Sequence, residues 1–130
     1  MAGGGEEQPQ ALTVRCGFQV GAVVVAATGE IDVDTVPELE RQVVAALDAA
    51  TAPTSATAVV VDLTDAFYLD SSGLNMLVRC NELARRHGTA LRVVAADRRV
   101  LRPILITDLE RVLALYPTLA DALAPPAAPT

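Results

Sequence analysis

The sequence predicts an α/β fold: a single domain built on a mixed four- to five-stranded β-sheet with helices packed on it, in the order β-β-α-β-α-β-α. Three observations carry that reading. Apolar runs rich in Val and Leu alternate along the chain with amphipathic segments of helical period, the pattern of strands covered by crossover helices. The 130 residues suffice for one core. The composition is 52% hydrophobic but only 3% aromatic, so that core is built from Val, Leu, Ile and Ala.

The elements follow in order. Residues 1–10, "MAGGGEEQPQ", and 125–130 read as disordered tails flanking a domain at 11–124, because Gly, Pro and polar residues bury too little surface to offset chain entropy. "LTVRCGFQV" (12–20) alternates, with Leu12, Val14, Cys16, Phe18 and Val20 on one side, as in a half-buried strand. Gly21 permits a turn into "AVVVAATG", a run suited to a strand covered on both faces, and the two form a hairpin. In "DTVPELERQVVAAL", Thr35 and Glu38 have capping-box spacing, Pro37 falls in the first turn, and Val36, Leu39, Val43 and Leu47 share one helical face. A polar loop, "TAPTSAT", precedes a buried strand at 58–63. After the turn "LDSSG", a helix runs from near Gly73 to His87, ended by Gly88. "ALRVVAA" (90–96) is a strand and 98–106 a helix, in which Pro103 predicts a late start or a bend. "RVLALY" supplies a short strand, and Thr118 with Asp121 caps a last helical turn.

Charge and residue usage exclude several functions. The net charge is -6 at pH 7, the wrong sign for a phosphate-tracking nucleic-acid surface. All ten basic residues are arginine, and without lysine there is no Schiff base, Ser-Lys dyad or lysine-bearing phosphate loop. The two cysteines, Cys16 and Cys80, form no CxxC and read as buried, inert thiols. No cofactor or metal is expected: Asp32, Asp62 and Asp70 lie near strand ends, where turn and cap duties outweigh metal ligation. The longest apolar stretch, at 22–27, is too short for a membrane span, and the chain is read as cytoplasmic.

The adjacent serines of "DSSG" pose the chemical question. A nucleophilic serine needs a base, and the single histidine, His87, falls at the far end of the same helix, roughly 24 Å away at about 1.5 Å per residue. The G-x-S-x-G elbow of serine hydrolases is absent. Asp70, Ser71 or Ser72 caps the helix on the simplest reading; a phosphate on one of these serines, favoured by the helix dipole, is compatible with it.

Four motifs in order, G-E-I-D (29–32), V-V-D-L (60–63), D-S-S-G-L (70–74) and L-x-R-V-x-x-x-Y-x-T-x-x-x-A-L (109–123), resemble a STAS domain of the anti-sigma factor antagonist family, over about residues 12–124. The resemblance implies phosphorylation of Ser71 by a partner that is both anti-sigma factor and serine kinase. It also implies capture of that partner by the unphosphorylated form, with release of a sigma factor, and resetting by a PP2C-type phosphatase. Partner contacts are expected at Asp70, Ser72, Gly73, Leu74, Asn75, Val78 and Asn81, with neither nucleic acid nor membrane as partner. The alternative is an accessory STAS module in a sensor or lipid-transport complex. Asn75 and Asp108 depart from the family pattern, which commonly has a small residue and a glycine there. On a helical wheel Leu74 and Val78 fall with Asn81 and Arg85 on a border stripe, either completing a wide core face or forming the apolar centre of the partner contact.

Overall fold

A computed structural model describes residues 11–51 and 58–124; both predicted tails and most of the "TAPTSAT" loop lie outside these residues. Strands β1 (Leu12–Gln19), β2 (Ala22–Ile31), β3 (Ala58–Leu69), β4 (Ala90–Val94) and β5 (Ala114–Tyr116) form one five-stranded sheet in sequence order. Helix α1 (Val36–Thr51) links β2 to β3, α2 (Ser71–His87) links β3 to β4, and α3 (Arg98–Ile106) leads through a short 3-10 turn at Leu109–Arg111 to β5; α4 (Leu119–Leu123) follows.

The hairpin joining β1 and β2 is antiparallel and every other pairing is parallel, so the sheet is mixed as predicted. Gln19 pairs with Ala22 around a two-residue turn in which Val20 (φ 47°) and Gly21 (φ 75°) both have positive φ. That geometry suits the right-handed twist of the flanking strands. Along the central strands side chains alternate between two cores. Val23, Val25, Val59, Val61, Leu91 and Val93 pack with the apolar faces of α1, α2 and α3. Ala22, Val24, Ala58, Val60 and Val94 face the other way, onto Ala122, Leu119 and Leu123 of α4.

Several expectations are corrected. Strand β3 runs to Leu69, six residues beyond its predicted end, alongside a β2 that reaches Ile31 with register shifts near Ala27 and Gly29. Its continuation was concealed because exposed Thr64 and Asp65 precede buried Ala66, and exposed Phe67 and Tyr68 separate Ala66 from buried Leu69. The first strand is not half-buried throughout: Leu12 and Val14 are partly covered, whereas Cys16 is exposed and Phe18 is 67% exposed. As an edge strand it has a neighbour on one side only among the described residues. The capping box does not form. Thr35 Oγ1 donates to Glu30 O (2.8 Å) and accepts from Asp32 N (2.9 Å), while the Glu38 carboxylate takes Arg41 and Gln42. Helix α3 begins at Arg98 with no late start, its first turn capped by Asp97, which accepts from Arg99 N at 2.9 Å.

Other predictions hold. Val36, Leu39, Val43 and Leu47 are all buried. Gly88 ends α2 in the left-handed region (φ 69°), with Thr89 N donating to Ala84 O at 2.9 Å. Thr118 caps α4 by accepting from Asp121 N at 3.1 Å. Asp108 takes the left-handed conformation (φ 66°) that its place in a glycine position demands, and Arg111 pairs with its carboxylate at 3.2 Å.

Candidate functional site

The DSSG turn sits at the carboxyl ends of β2 and β3, the end of a parallel sheet where helix N-termini converge. The turn is held there by backbone and side chain together. Asp70 N donates to Ile31 O at 3.2 Å, tying the last residue of β2 to the residue after β3. Asp70 is the helix cap: with extended backbone (φ -104°, ψ -171°) its Oδ1 accepts from Ser72 N (2.9 Å) and Gly73 N (3.2 Å). Its own carbonyl accepts from Leu74 N, the first bond of the helical ladder. The helix therefore starts at Ser71, two residues before the predicted start.

This division of labour settles the capping alternative. Because Asp70 satisfies the free N–H groups, neither serine hydroxyl is needed for the cap. Ser71, the first helical residue, is exposed, and its hydroxyl has no hydrogen-bond partner among the described residues. Ser72 is half-buried and lines a shallow depression between α1 and α2 with Val33, Pro37, Glu40, Asn75 and Arg79.

Gly73 explains how α2 comes so close to the sheet. A Cβ there would strike Leu69 Cδ1 and lie 2.8 Å from Ile31 Cγ2, both in the core. Behind it Leu77, Cys80 and Ala84 are buried with Met76, and Asn75, Arg79, Glu82 and Arg86 are exposed, as the wheel predicts. The border stripe divides. Leu74 is 7% exposed and belongs to the core, so as a direct surface contact it is corrected. Val78 is half-buried and lies two turns from Ser71 on the outer side of α2. Asn81 is turned toward the segment before β5, its Nδ2 donating to Val112 O at 3.4 Å, and Arg85 is exposed and pairs with Glu82 at 2.9 Å. The structure thus brings Asp70, Ser71, Ser72, Asn75 and Val78 to one surface and places Leu74 and Gly73 beneath it.

Sequence reasoning missed Val33. It is 68% exposed in the loop between β2 and α1 and borders the same depression as Ser72 and Asn75. A signal was available, since an apolar residue between Asp32 and Asp34 has no core-facing period. That loop is fixed locally: Asp32 Oδ1 accepts from Asp34 N (3.0 Å) and Thr35 N (3.2 Å). Across the depression Arg79 makes a two-pronged pair with Glu40, at 2.7 and 3.0 Å, which locks α1 to α2 and holds the Glu40 carboxyl below its ordinary range.

The remaining chemistry-bearing groups are elsewhere. His87 closes α2 at the end opposite Ser71, which keeps serine and imidazole apart. Asp62 does not lie at a strand end as expected: it falls inside β3, where its carboxylate accepts from Thr64 N at 3.0 Å, whereas Asp32 holds the loop before α1 and Asp70 caps α2. Burial pushes the Cys80 thiol up to about 12. Cys16 is not buried as expected; its Sγ lies 3.2 Å from Gln42 Oε1, and partial desolvation raises its pKa. Arg98, Arg99 and Arg102 are exposed on α3, with Arg99 paired to Asp97 at 2.7 Å and lying 5.5 Å over the Phe67 ring. No helix of the described residues is long and apolar enough to cross a membrane.

Comparison with known proteins is informative over nearly the whole domain. Residues 14–122 match the STAS domain. The chain is 32% identical over 117 residues to the anti-sigma-F factor antagonist RsfB of Mycobacterium tuberculosis, covering 88% of this chain and 89% of that protein. It superposes with a TM-score of 0.79, at 35% identity, on the crystal structure of an anti-sigma factor antagonist from Mycobacterium paratuberculosis, covering 89% of this chain and 94% of the other. Unphosphorylated SpoIIAA of the same class shares the fold, with a TM-score of 0.67 at 14% identity over 85% of this chain and 93% of its own.

Proposed function

From the premise that this chain belongs to the STAS domain family of anti-sigma factor antagonists, we propose that it is a partner-switching regulator controlled at Ser71. In its unphosphorylated form it binds an anti-sigma factor that is also a serine kinase, and so frees a sigma factor for transcription. The bond between the γ-phosphorus of ATP and ADP breaks as the phosphoryl group passes to Ser71 Oγ, ADP leaves, the hydroxyl proton goes to solvent, and the complex separates. A PP2C-type phosphatase hydrolyses the phosphoester and restores the binding form. No nucleic acid or membrane takes part.

The observation that carries this reading is the exposed hydroxyl of Ser71 beside an aspartate that already caps the helix. Modification there removes no hydrogen bond from the fold. It adds about 1.5 to 2 negative charges to a surface that holds Asp70 and the adjoining loop of Asp32 and Asp34. The helix N-terminus accommodates that charge within the monomer, so repulsion falls on the partner. Contacts are proposed at Asp70, Ser72, Asn75 and Val78, with Val33 added, Asn81 at the margin where its amide donates to Val112 O, and Gly73 and Leu74 supporting from below.

Incubation with a kinase-type anti-sigma factor and ATP, followed by mass spectrometry, tests the reading. One phosphate is expected on Ser71, none on a Ser71→Ala variant that still binds, and weakened binding for Ser71→Glu. Phosphate incorporation that survives Ser71→Ala and disappears with Ser72→Ala overturns the assignment.

A further inference from the structure

The two edges of the sheet are managed differently. β5 is three residues long, a length that leaves little to pair with. β1 is eight residues long, and its register with β2 runs without a shift. It carries no proline and no lysine, and its one formal charge is Arg15. These are the features that natural edge strands avoid unless something pairs with them.

The pairing fixes the orientation of its backbone. Gln19 and Ala22 are the closing pair of a two-residue hairpin, and Ala11 O accepts from Glu30 N at 2.8 Å. Antiparallel pairs alternate, so the odd-numbered residues turn their N–H and C=O toward β2. The even-numbered residues Leu12, Val14, Cys16 and Phe18 turn theirs outward, to an edge that no other described strand pairs with. Those same residues carry the apolar side chains, two of which, Cys16 and Phe18, are left exposed.

We infer that β1 is a pairing edge for a second copy of this chain, joined antiparallel about a two-fold axis at Cys16. In that register the outward groups of Val14 meet those of Phe18 in the other copy, and Cys16 meets Cys16, so every pair on the helix side is apolar. Arg15 falls opposite Gly17, where a missing side chain leaves room for it. Sliding by one pair in one direction sets Arg15 against Arg15, a like-charge clash. Sliding the other way sets Gly17 against Gly17 and leaves Phe18 facing Cys16. A second copy fits the edge because the strand is complementary to itself in both hydrogen bonding and side-chain character, and a two-fold axis closes the assembly at two copies.

The test uses the full chain. Sedimentation over a concentration series is expected to show a monomer–dimer equilibrium. Residues paired in this way have Cα atoms about 5.5 Å apart, within the disulfide range. Copper(II)–phenanthroline, taking up two electrons as two thiols lose two protons, is therefore expected to link the dimer through Cys16. The Cys16→Ser variant stays dimeric without the link. Gly17→Cys on that background, where an added Cβ meets nothing within 4 Å, links poorly because the register offsets the two positions. Phe18→Lys, at an exposed site that leaves the circular dichroism unchanged, raises the dimer dissociation constant by about tenfold or more. A chain that stays monomeric at its highest soluble concentration overturns the inference. So does a dimer indifferent to Phe18→Lys, or one that links faster through residue 17 than through Cys16.

Discussion

At Gly73 the requirement is space rather than backbone freedom, because the start of α2 is pressed onto Leu69 and Ile31. Leucine can swing a terminal methyl aside, but Ile31 is branched at Cβ and fully buried, so it yields little. Gly73→Ala is expected to lower stability by about 1 to 3 kcal/mol despite alanine's better helix propensity. It also lifts the Ser71 turn off the sheet. Chemical denaturation checks the first effect and the phosphorylation rate the second. Val20 presents the opposite case. A β-branched residue with positive φ is strained, and Val20 is 78% exposed, so little packing offsets the strain. Val20→Asn creates the Asn-Gly turn that this hairpin geometry favours, and a gain in stability of about 0.5 to 1 kcal/mol is expected by thermal melting. Both residues mark a boundary of what sequence reveals. The turn at Gly21 was legible, but the identity of the atoms against Gly73 depends on how far β2 and β3 continue, which the broken apolar alternation at the end of β3 concealed.

Among the elements, α2 was the most legible. Its core and solvent faces follow from the 3.6-residue period, and the structure alters only the border. There Leu74 is drawn in because the helix begins two residues early and its first turn leans on the sheet, while Val78, one turn on, stays half-exposed. A matched pair of variants separates the two roles. Leu74→Asp buries an unpaired charge and is expected to cost several kcal/mol, read as a large fall in the thermal midpoint. Val78→Asp can turn its carboxylate to water, so the midpoint drops far less while binding to the anti-sigma factor is severely weakened. Equal losses of stability in both variants would return Val78 to the core and remove it from the contact. Helix α1 was legible in its apolar face but not in its cap. The Thr35 hydroxyl had nearer partners in the loop that precedes it, and such loop contacts have no periodic signature. β1 was misjudged for a related reason: alternation reports which side is apolar, not whether anything covers it.

For the molecule as a whole, strand order explains why one face is thick and the other thin. From β2 to β5 each strand is added on the same side of the last, and right-handed crossovers in a constant direction put α1, α2 and α3 on one face. The opposite face is left to α4, five residues long, which covers Val24, Val60 and Val94 with Leu119, Leu123 and a fully buried Ala122. Arg92 fastens it by donating to Ala122 O at 3.1 Å. Alternating strands and helices made the fold class legible, but not which core each apolar residue joins, because a run such as "AVVV" is apolar toward both faces. This asymmetry separates stability from switching. Ala122→Asp sets a carboxylate against Val24, Val60 and Val94 in a site with no room for it, with an expected loss of about 2 to 4 kcal/mol. In a domain of this size that lowers the thermal midpoint by roughly 4 °C per kcal/mol. The Ser71 turn is anchored through Ile31, Leu69 and Gly73 to the other core, so phosphorylation measured well below the new midpoint is expected to proceed at the parental rate. A phosphorylation rate that falls in step with stability would instead mean that α4 and the switch surface are coupled through the sheet.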